Sequence, residues 1–493
     1  MFDILIKLIL IFLIAFTPVA FGSVELWAFS LMELGILLMI ILWVIQLLLR
    51  PALRRVQDSP EPHMVQGELR IPKLKLNTHN SKLSTIFIFL FLLLILFQLL
   101  PLPPGLLKIL SPKTYGLRSA LTLQPSSLSF PLSFFPFATQ IEFFKWLTFA
   151  GLFIFLLCWK PFEQDHRIRN QLMIVILLVG IAESLYGMFE FFSGHRYILH
   201  LNASSLVSSV TGTFINRNAF AGYLLMVIPL SIGFLFSREA TRRAGFEGWR
   251  HRLSTLDGKT LLVAFGIMIM ILGLLFSASR MGIVSLLLSF SLMALLLGGS
   301  QRGRRFSGQS ILILSLALIW ALWIGLDAVI SRFFAASEDF EMRWDIWIDT
   351  FKILKDFPIF GSGLGTFHQI FPIYRSFHIR GLVTHAENDF LQMASEVGLL
   401  GIGLLIVLFV TLFYKAISGI RSLSFRDGGR YIGAGGMVGI LALMFHSIVE
   451  RNLQIPANAF LFIFIWALVL RMSLSEKGSY LAKPGGYQAK ESR

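Results

Sequence analysis

Cysteine is almost missing from this chain: Cys158 is the single one in 493 residues, and it lies inside an apolar run. A lone thiol excludes a disulfide framework within the chain and any cysteine metal cluster. Charge is scarce too. Only 14% of residues are Asp, Glu, Lys or Arg, against roughly 25% in a soluble domain that must cover its surface with them. The acidic sign is the scarcer one, 28 residues against 43 Lys and Arg, for a formal net charge of +15. What fills the space is apolar sequence, 55% of residues with a mean hydropathy of +0.73. These values describe a polytopic membrane protein.

About twelve apolar stretches approach the ~20 residues a helix needs to cross a bilayer. They fall near 4–22, 27–49, 84–103, 143–159, 171–192, 219–237, 260–277, 281–298, 310–330, 398–414, 431–449 and 457–471. With the N-terminus inside, the inward segments hold 28 of the 43 Lys and Arg and the outward segments 13. That asymmetry follows the positive-inside rule and predicts both termini on the cytoplasmic side. The basic balance is therefore a signature of topology, with no nucleic-acid partner expected. The N-terminal run is not read as a cleavable signal, since a second span follows at once.

Three regions are expected. Residues 1–179 form N-terminal spans with a basic cytoplasmic loop at 50–83 and a Pro-rich outer segment at 104–142, whose prolines prevent a continuous helix. Residues 180–472 form a membrane core with a large polar outer loop at 331–396, and 473–493 a polar tail.

Candidate chemistry collects on the outward face. Outward arginines run against the charge bias, so each needs a reason. Asn216-Arg217-Asn218 opens the sixth span, and Arg280 sits in the small-residue turn Ser277-Ala278-Ser279-Arg280-Met281-Gly282. A guanidinium offers a planar fork that pairs bidentately with phosphate, so two of them suit a lipid diphosphate; the plain alternative is an arginine snorkelling to headgroups. In the long loop, Pro358…Gly365 contains Gly361 and Gly363 and either exposes amides as an anion nest or is a simple turn. His385, Glu387 and Asp389 alternate, with Asn388 among them and Gln392 and Glu396 following at helical spacing. His385 is suited to proton transfer near neutral pH, with an imidazole titrating around ~6–7. A metal site is not expected, because further ligands are not evident at a recognisable spacing. Glu33, Glu183 and Glu190, inside spans, should face protein or water. His446 and Glu450, beside Arg451 and Asn452, either support the site or make an ion-paired helix end.

Taken in order, these segments resemble the O-antigen ligase and polymerase superfamily. The resemblance is carried by Gly212-Thr213-Phe214-Ile215-Asn216-Arg217-Asn218, Ser277-x-Ser279-Arg280-x-Gly282, Arg343-x-x-x-Trp347, Pro358-x-x-Gly361-x-Gly363-x-Gly365-x-Phe367 and His385-Ala386-Glu387-Asn388-Asp389 through Glu396-x-Gly398, and covers roughly residues 180–460. It implies an all-α integral membrane fold of about twelve helices of the GT-C type with one large periplasmic loop. It also implies transfer of a glycan from undecaprenyl diphosphate to an acceptor hydroxyl on lipid A-core or another glycan, at the periplasmic face. By motif, Arg217 and Arg280 would bind the diphosphate and His385 would serve as base or orient the acceptor. Asn216, Asn218, Arg343, Gly361, Gly363, Asn388 and Glu396 would support them. Many members read His-Ala-His-Asn where this chain has Glu387, so Glu387 is the second candidate base. No cofactor or metal is expected, since guanidinium groups can stabilise the leaving diphosphate.

The competing readings are a lipid-linked glycan flippase, which predicts inverted repeats and mid-membrane binding residues, and a cell-wall glycosyltransferase of the shape-and-division family, whose aspartate-centred loop pattern is absent. His385, Arg217 and Arg280 are expected to share one outward cavity beside the Gly361–Gly365 run. Arg280→Lys keeps the charge and loses the fork, so it should abolish most glycan transfer in membranes holding equal amounts of protein. Near wild-type transfer by the lysine variant would reduce Arg280 to a snorkelling residue.

Overall fold

A computed structural model describes residues 2–57, 79–120, 129–195, 197–202, 209–240, 258–297, parts of 308–323, 336–378, 381–425 and 427–474. The long apolar runs fold as helices because a helix satisfies its own backbone amides where water is missing. In chain order the helices are α1 (Phe2–Val19), α2 (Leu26–Gln57), α3 (His79–Leu99), α4 (Pro104–Leu110), α5 (Pro112–Ala120), α6 (Pro136–Cys158), α7 (Lys160–Gln164), α8 (His166–Ser193), α9 (Arg217–Ala240), α10 (Gly258–Phe276), α11 (Arg280–Leu297), α12 (Ala336–Asp356), α13 (Phe367–Tyr374), α14 (Asp389–Ser422), α15 (Gly428–His446) and α16 (Pro456–Leu474). Strand structure among the described residues is limited to two-residue ladders, Pro101–Leu102 with Phe130–Pro131 and Tyr197–Ile198 with Leu201–Asn202.

Among the described residues, nine helices are long and apolar enough to cross a membrane, and Leu83–Leu99 and Pro456–Met472 are shorter apolar ones. The all-α membrane class expected from composition is observed. The expected ninth span, 310–330, falls largely outside the described residues, as do most of loop 50–83 and the tail.

Helix α9 is the centre. Its membrane-length window is wholly buried, and α15, α16, α10, α11 and α8 pack around it. The approach to α15 is closest: a Cβ on Gly435 would lie 2.3 Å from the Pro229 carbonyl oxygen, and one on Gly233 2.3 Å from that of Tyr431. Small residues let two backbones meet where lipid supplies no hydrophobic drive between helices.

The Pro-rich segment and the polar loop differ from expectation in detail. Residues 104–120 form the short helices α4 and α5, and α6 starts at Pro136, earlier than the expected 143, because proline is accepted in a helix's first turn. The stretch 331–396 is largely helical where described. Ile346, Thr350 and Ile353, with Phe357 just past the helix end, repeat at helical spacing on one side of α12, a period masked by the polar residues between them. Ile346, Ile353, Phe357, Phe367, Ile370, Phe371 and Ala386 make a second apolar core that also takes Leu117 and Phe134 from the Pro-rich segment. Each of its fully buried side chains is worth about 1.5–3 kcal/mol.

Within α14 the backbone breaks at Gly398 (φ 67°, ψ −175°), which separates Asp389–Val397 from the membrane-crossing part. A Cβ there would lie 2.3 Å from the Ile359 carbonyl oxygen. Gly398→Ala should therefore destabilise the protein by at least about 1–3 kcal/mol, read as a lower unfolding temperature in detergent. Gly403→Ala, with nothing within 4 Å of its added Cβ, should leave that temperature level or slightly raised.

Candidate functional site

Helices α9, α11, α14 and α16 begin at one end of the bundle, and α8, α10 and α15 end there. The turn before α9 is pinned by a buried carboxylate: Glu183 Oε2 accepts from Thr213 N (2.8 Å), and the Thr213 hydroxyl lies 2.8 Å from Glu183 Oε1 and 2.9 Å from the Pro18 carbonyl oxygen. Asn216 Oδ1 then accepts from Asn218 N (2.7 Å), capping α9 so that Arg217 is its first residue. Arg280 likewise opens α11, where Gly282 packs against Ala221 of α9. Two arginines thus stand at adjoining helix N-termini, where the partial positive charge of the backbone also favours an anion. Glu190, the other outward carboxylate of α8, accepts from Tyr197 N (3.3 Å).

The second part of the site comes from the turn between α15 and α16. Glu450 is buried and pairs with Arg343 of α12 (2.7 Å), while Asn218 Nδ2 donates to it (2.6 Å). Arg343 also donates to the Val449 carbonyl oxygen (2.8 Å). Arg343 therefore ties α12 to this turn and Asn218 ties the turn to α9. Below them His446 is fully buried, its Nε2 3.4 Å from Ser279 Oγ and its Nδ1 3.2 Å from Asn452 Nδ2.

The third part is the segment around His385. Trp347 Nε1 donates to the Ala386 carbonyl oxygen (3.0 Å), and Ala386 N donates to Gln392 Oε1 (2.9 Å). Gln392 Nε2 donates to Glu396 Oε1 (3.1 Å), which accepts from Phe367 N (3.2 Å), while Oε2 accepts from Gly365 N (2.8 Å). Asn388 caps α14 by accepting from Leu391 N (2.9 Å). Asp389 accepts from Leu453 N (2.8 Å), which fixes the start of α14 to the same turn that holds Glu450.

The glycine run is a clip rather than an anion nest. Gly361 N donates to the Phe357 carbonyl oxygen, Ser362 N to that of Ser395 and Gly363 N to that of Glu396. Leu364 N donates to Gln98 Oε1 (3.1 Å) and Gly365 N to Glu396. With these amides engaged inside the protein, the run closes the segment onto α3 and α14.

His385 lies half-buried between these parts. Its Nδ1 faces the Thr384 hydroxyl (2.8 Å) and Nη1 of Arg451, and Arg451 Nε is 3.5 Å from Glu387 Oε1. Glu387 is held at φ 49°, a left-handed conformation unusual for a residue with a side chain. His385 and Arg451 line a cavity of about 400 Å³ together with Lys145 of α6, Asn216 and a wall that includes Phe21, Phe29, Phe214 and Ile455. Arg217 and Arg280 are at the same end of the bundle but are not in that lining. The expected imidazole titration near 6–7 is replaced by a much lower one. Burial first, then the positive charge of Arg451, with Lys145 and His368 adding to it, hold the ring down at about 3. It is neutral at physiological pH because its closest charged neighbour is a cation, not the carboxylates beside it in sequence.

Arg451 and Lys145 were not among the expected site residues. Both carried a signal: the charge counts put Arg451 on the same side as Arg217 and Arg280, and a lysine within a span is costly unless it faces protein or water.

Burial pushes the Glu450 carboxyl up to about 7 against the opposing pull of Arg343. Arg343→Gln would leave that carboxyl buried without its cation, at a cost of about 3–5 kcal/mol. A carboxyl whose folded value exceeds its unfolded one keeps its protonated stability below pH ~4.5 and loses it as pH rises through ~7. The variant should therefore melt at a lower temperature at pH 8 than at pH 5.5, and Arg343→Gln combined with Glu450→Gln should remove that pH dependence.

Residues 265–406 match the family model described as O-Antigen ligase. A search of curated proteins finds no match. The matched stretch runs from α10 into α14 and carries Arg280, Arg343, the glycine clip, His385, Glu387, Asn388 and Glu396, so this part of the chain is similar to the O-antigen ligase family.

Proposed function

We propose that this end of the bundle faces the periplasm and transfers a glycan from undecaprenyl diphosphate to an acceptor sugar hydroxyl, lipid A-core being the acceptor of a ligase. The observation that carries the proposal is the convergence of cationic residues at one end: Arg217 and Arg280 opening adjoining helices, and Arg451 and Lys145 in the wall of a largely apolar cavity with His385. Apolar walls suit a prenyl chain, and fixed guanidinium groups suit the charge that grows as a diphosphate departs.

In this reaction the acceptor oxygen forms a bond to the anomeric carbon from the face opposite the leaving group. The bond from that carbon to the phosphate oxygen breaks, and undecaprenyl diphosphate leaves with the electron pair. The hydroxyl proton passes to a group of the segment 384–388. Arg217 and Arg280 stabilise the extra charge that develops on the departing diphosphate more than the charge of the bound donor, which raises turnover and not merely affinity.

The test uses the purified full chain in lipid nanodiscs, undecaprenyl-diphosphate glycan as donor, and lipid A-core and glycan repeat-unit acceptors in parallel. Glycan appearing on lipid A-core is the expected result. Extension of the repeat unit alone would make the chain a polymerase of the same superfamily. Movement of the donor across the bilayer without any transfer would overturn the proposal in favour of a lipid-linked glycan transporter.

A further inference from the structure

We propose that Arg451 is a positioning residue that holds His385 as its Nε2–H tautomer, so that His385 acts on substrate as a hydrogen-bond donor and Glu387 receives the acceptor's proton. The inference rests on the transfer activity above and assigns roles within its site. Arg451 lies beyond the residues matched by the family model.

A guanidinium has only N–H groups and cannot lose its charge, so any atom it meets in a hydrogen bond must be an acceptor. Nδ1 of His385 meets Nη1 of Arg451 and therefore carries the lone pair; the Thr384 hydroxyl stands 2.8 Å from the same nitrogen. In the neutral ring the proton is then on Nε2. To act as a base, His385 would have to accept at Nδ1, where Arg451 is seated, or at Nε2, which already bears a proton. The charged and titratable groups around it oppose a second proton as well: Arg451 from the turn before α16, Lys145 from α6 and His368 from α13. Glu142 pairs with Lys145 at 3.0 Å and offsets part of that charge.

The same arginine reaches the remaining candidate. Its Nε lies 3.5 Å from Glu387 Oε1, and Glu387 is kept in a left-handed backbone conformation. Backbone strain of this kind persists where the surroundings enforce it, and it is common at functional sites. Arg451 thus holds two neighbouring side chains in complementary states, one a donor and one an acceptor. As the acceptor oxygen bonds to the anomeric carbon and the diphosphate leaves, its proton moves to a Glu387 carboxylate oxygen, while His385 Nε2–H donates to a substrate oxygen in the cavity.

The first experiment requires no substrate. The full chain is prepared with ring-15N histidine, and the His385 signals are identified by their loss in His385→Asn. Neutral signals with the proton on Nε2 from pH 6 to 8 are expected, and in Arg451→Gln the ring should titrate at a higher pH than in the wild type, with burial still holding it below the ordinary ~6.5. A proton on Nδ1, or an imidazolium at pH 6, in the wild type would overturn the tautomer assignment whether or not the chain transfers glycan. The second experiment is kinetic. Arg451→Gln should lower kcat by about 10²-fold, as for a misplaced reacting group, with KM little changed and with a new acid limb that lies above the wild-type imidazole's but below the ordinary ~6.5. That limb should vanish in Arg451→Gln with His385→Asn. Glu387→Gln should lower kcat by about 10²-fold or more; wild-type turnover in that variant would overturn the proton assignment. Failure of all variants and the wild type to transfer glycan, with the tautomer as expected, would count against the transfer activity alone.

Discussion

Helix α9 has no side turned to lipid, and the arrangement of the site follows from that constraint. A wholly enclosed helix can be positioned only by what surrounds it. On this chain the neighbours fix its first turn from several directions: Glu183 of α8 through Thr213, Glu450 through Asn218, and Asn458 of α16, which donates to the Ala219 carbonyl oxygen at 3.0 Å. The glycines of α15 bring a second backbone against its middle. Arg217 therefore stands on a helix end that has little freedom to shift, and Arg280 stands on the next helix, packed against the same turn. Preorganised charge of this kind contributes to catalysis because it does not have to rearrange as the transition state forms.

Much of this was legible in the sequence because the signals were of the kind that membranes amplify. Apolar length marked the helices, and the excess of Lys and Arg in alternate segments set the relative sides of Arg217, Arg280 and the His385 segment. In the small-residue turn at Ser277–Gly282, Gly282 lies close against Ala221. The partners of the charges were much less legible. His446 and Glu450, beside Arg451 and Asn452, suggested either support for the site or an ion-paired helix end. In the fold Glu450 and Arg451 diverge, Glu450 meeting Arg343 and Arg451 meeting His385 and Glu387. Periodicity and composition report which face a residue occupies; they carry no information on which distant residue arrives at that face.

The same limit explains the segment from 336 to 397. Its polar composition suggested a loop, yet a second core of Ile346, Ile353, Phe357, Phe367 and Phe371 folds it into helices. The few apolar residues that build this core are spread over three elements and meet only when the Pro-rich segment supplies Leu117 and Phe134. The His385 neighbourhood was misjudged for a related reason. Sequence showed two nearby carboxylates and suggested a ring inclined to protonate, whereas folding brings Arg451 to one nitrogen and buries the ring, so the proton is disfavoured.

The position of Gln98 bears on how a bulky substrate can reach this end of the molecule. Its amide donates to the carbonyl oxygens of Phe360 (2.6 Å) and Glu396 (2.9 Å) and accepts from Leu364 N, so a single buried side chain of α3 staples both strands of the glycine turn. Swinging the segment aside as a lid would break all three bonds at once and leave a buried amide unsatisfied. A stapled segment makes a poor door, so this side of the candidate site keeps its form without a hinge in the polar segment.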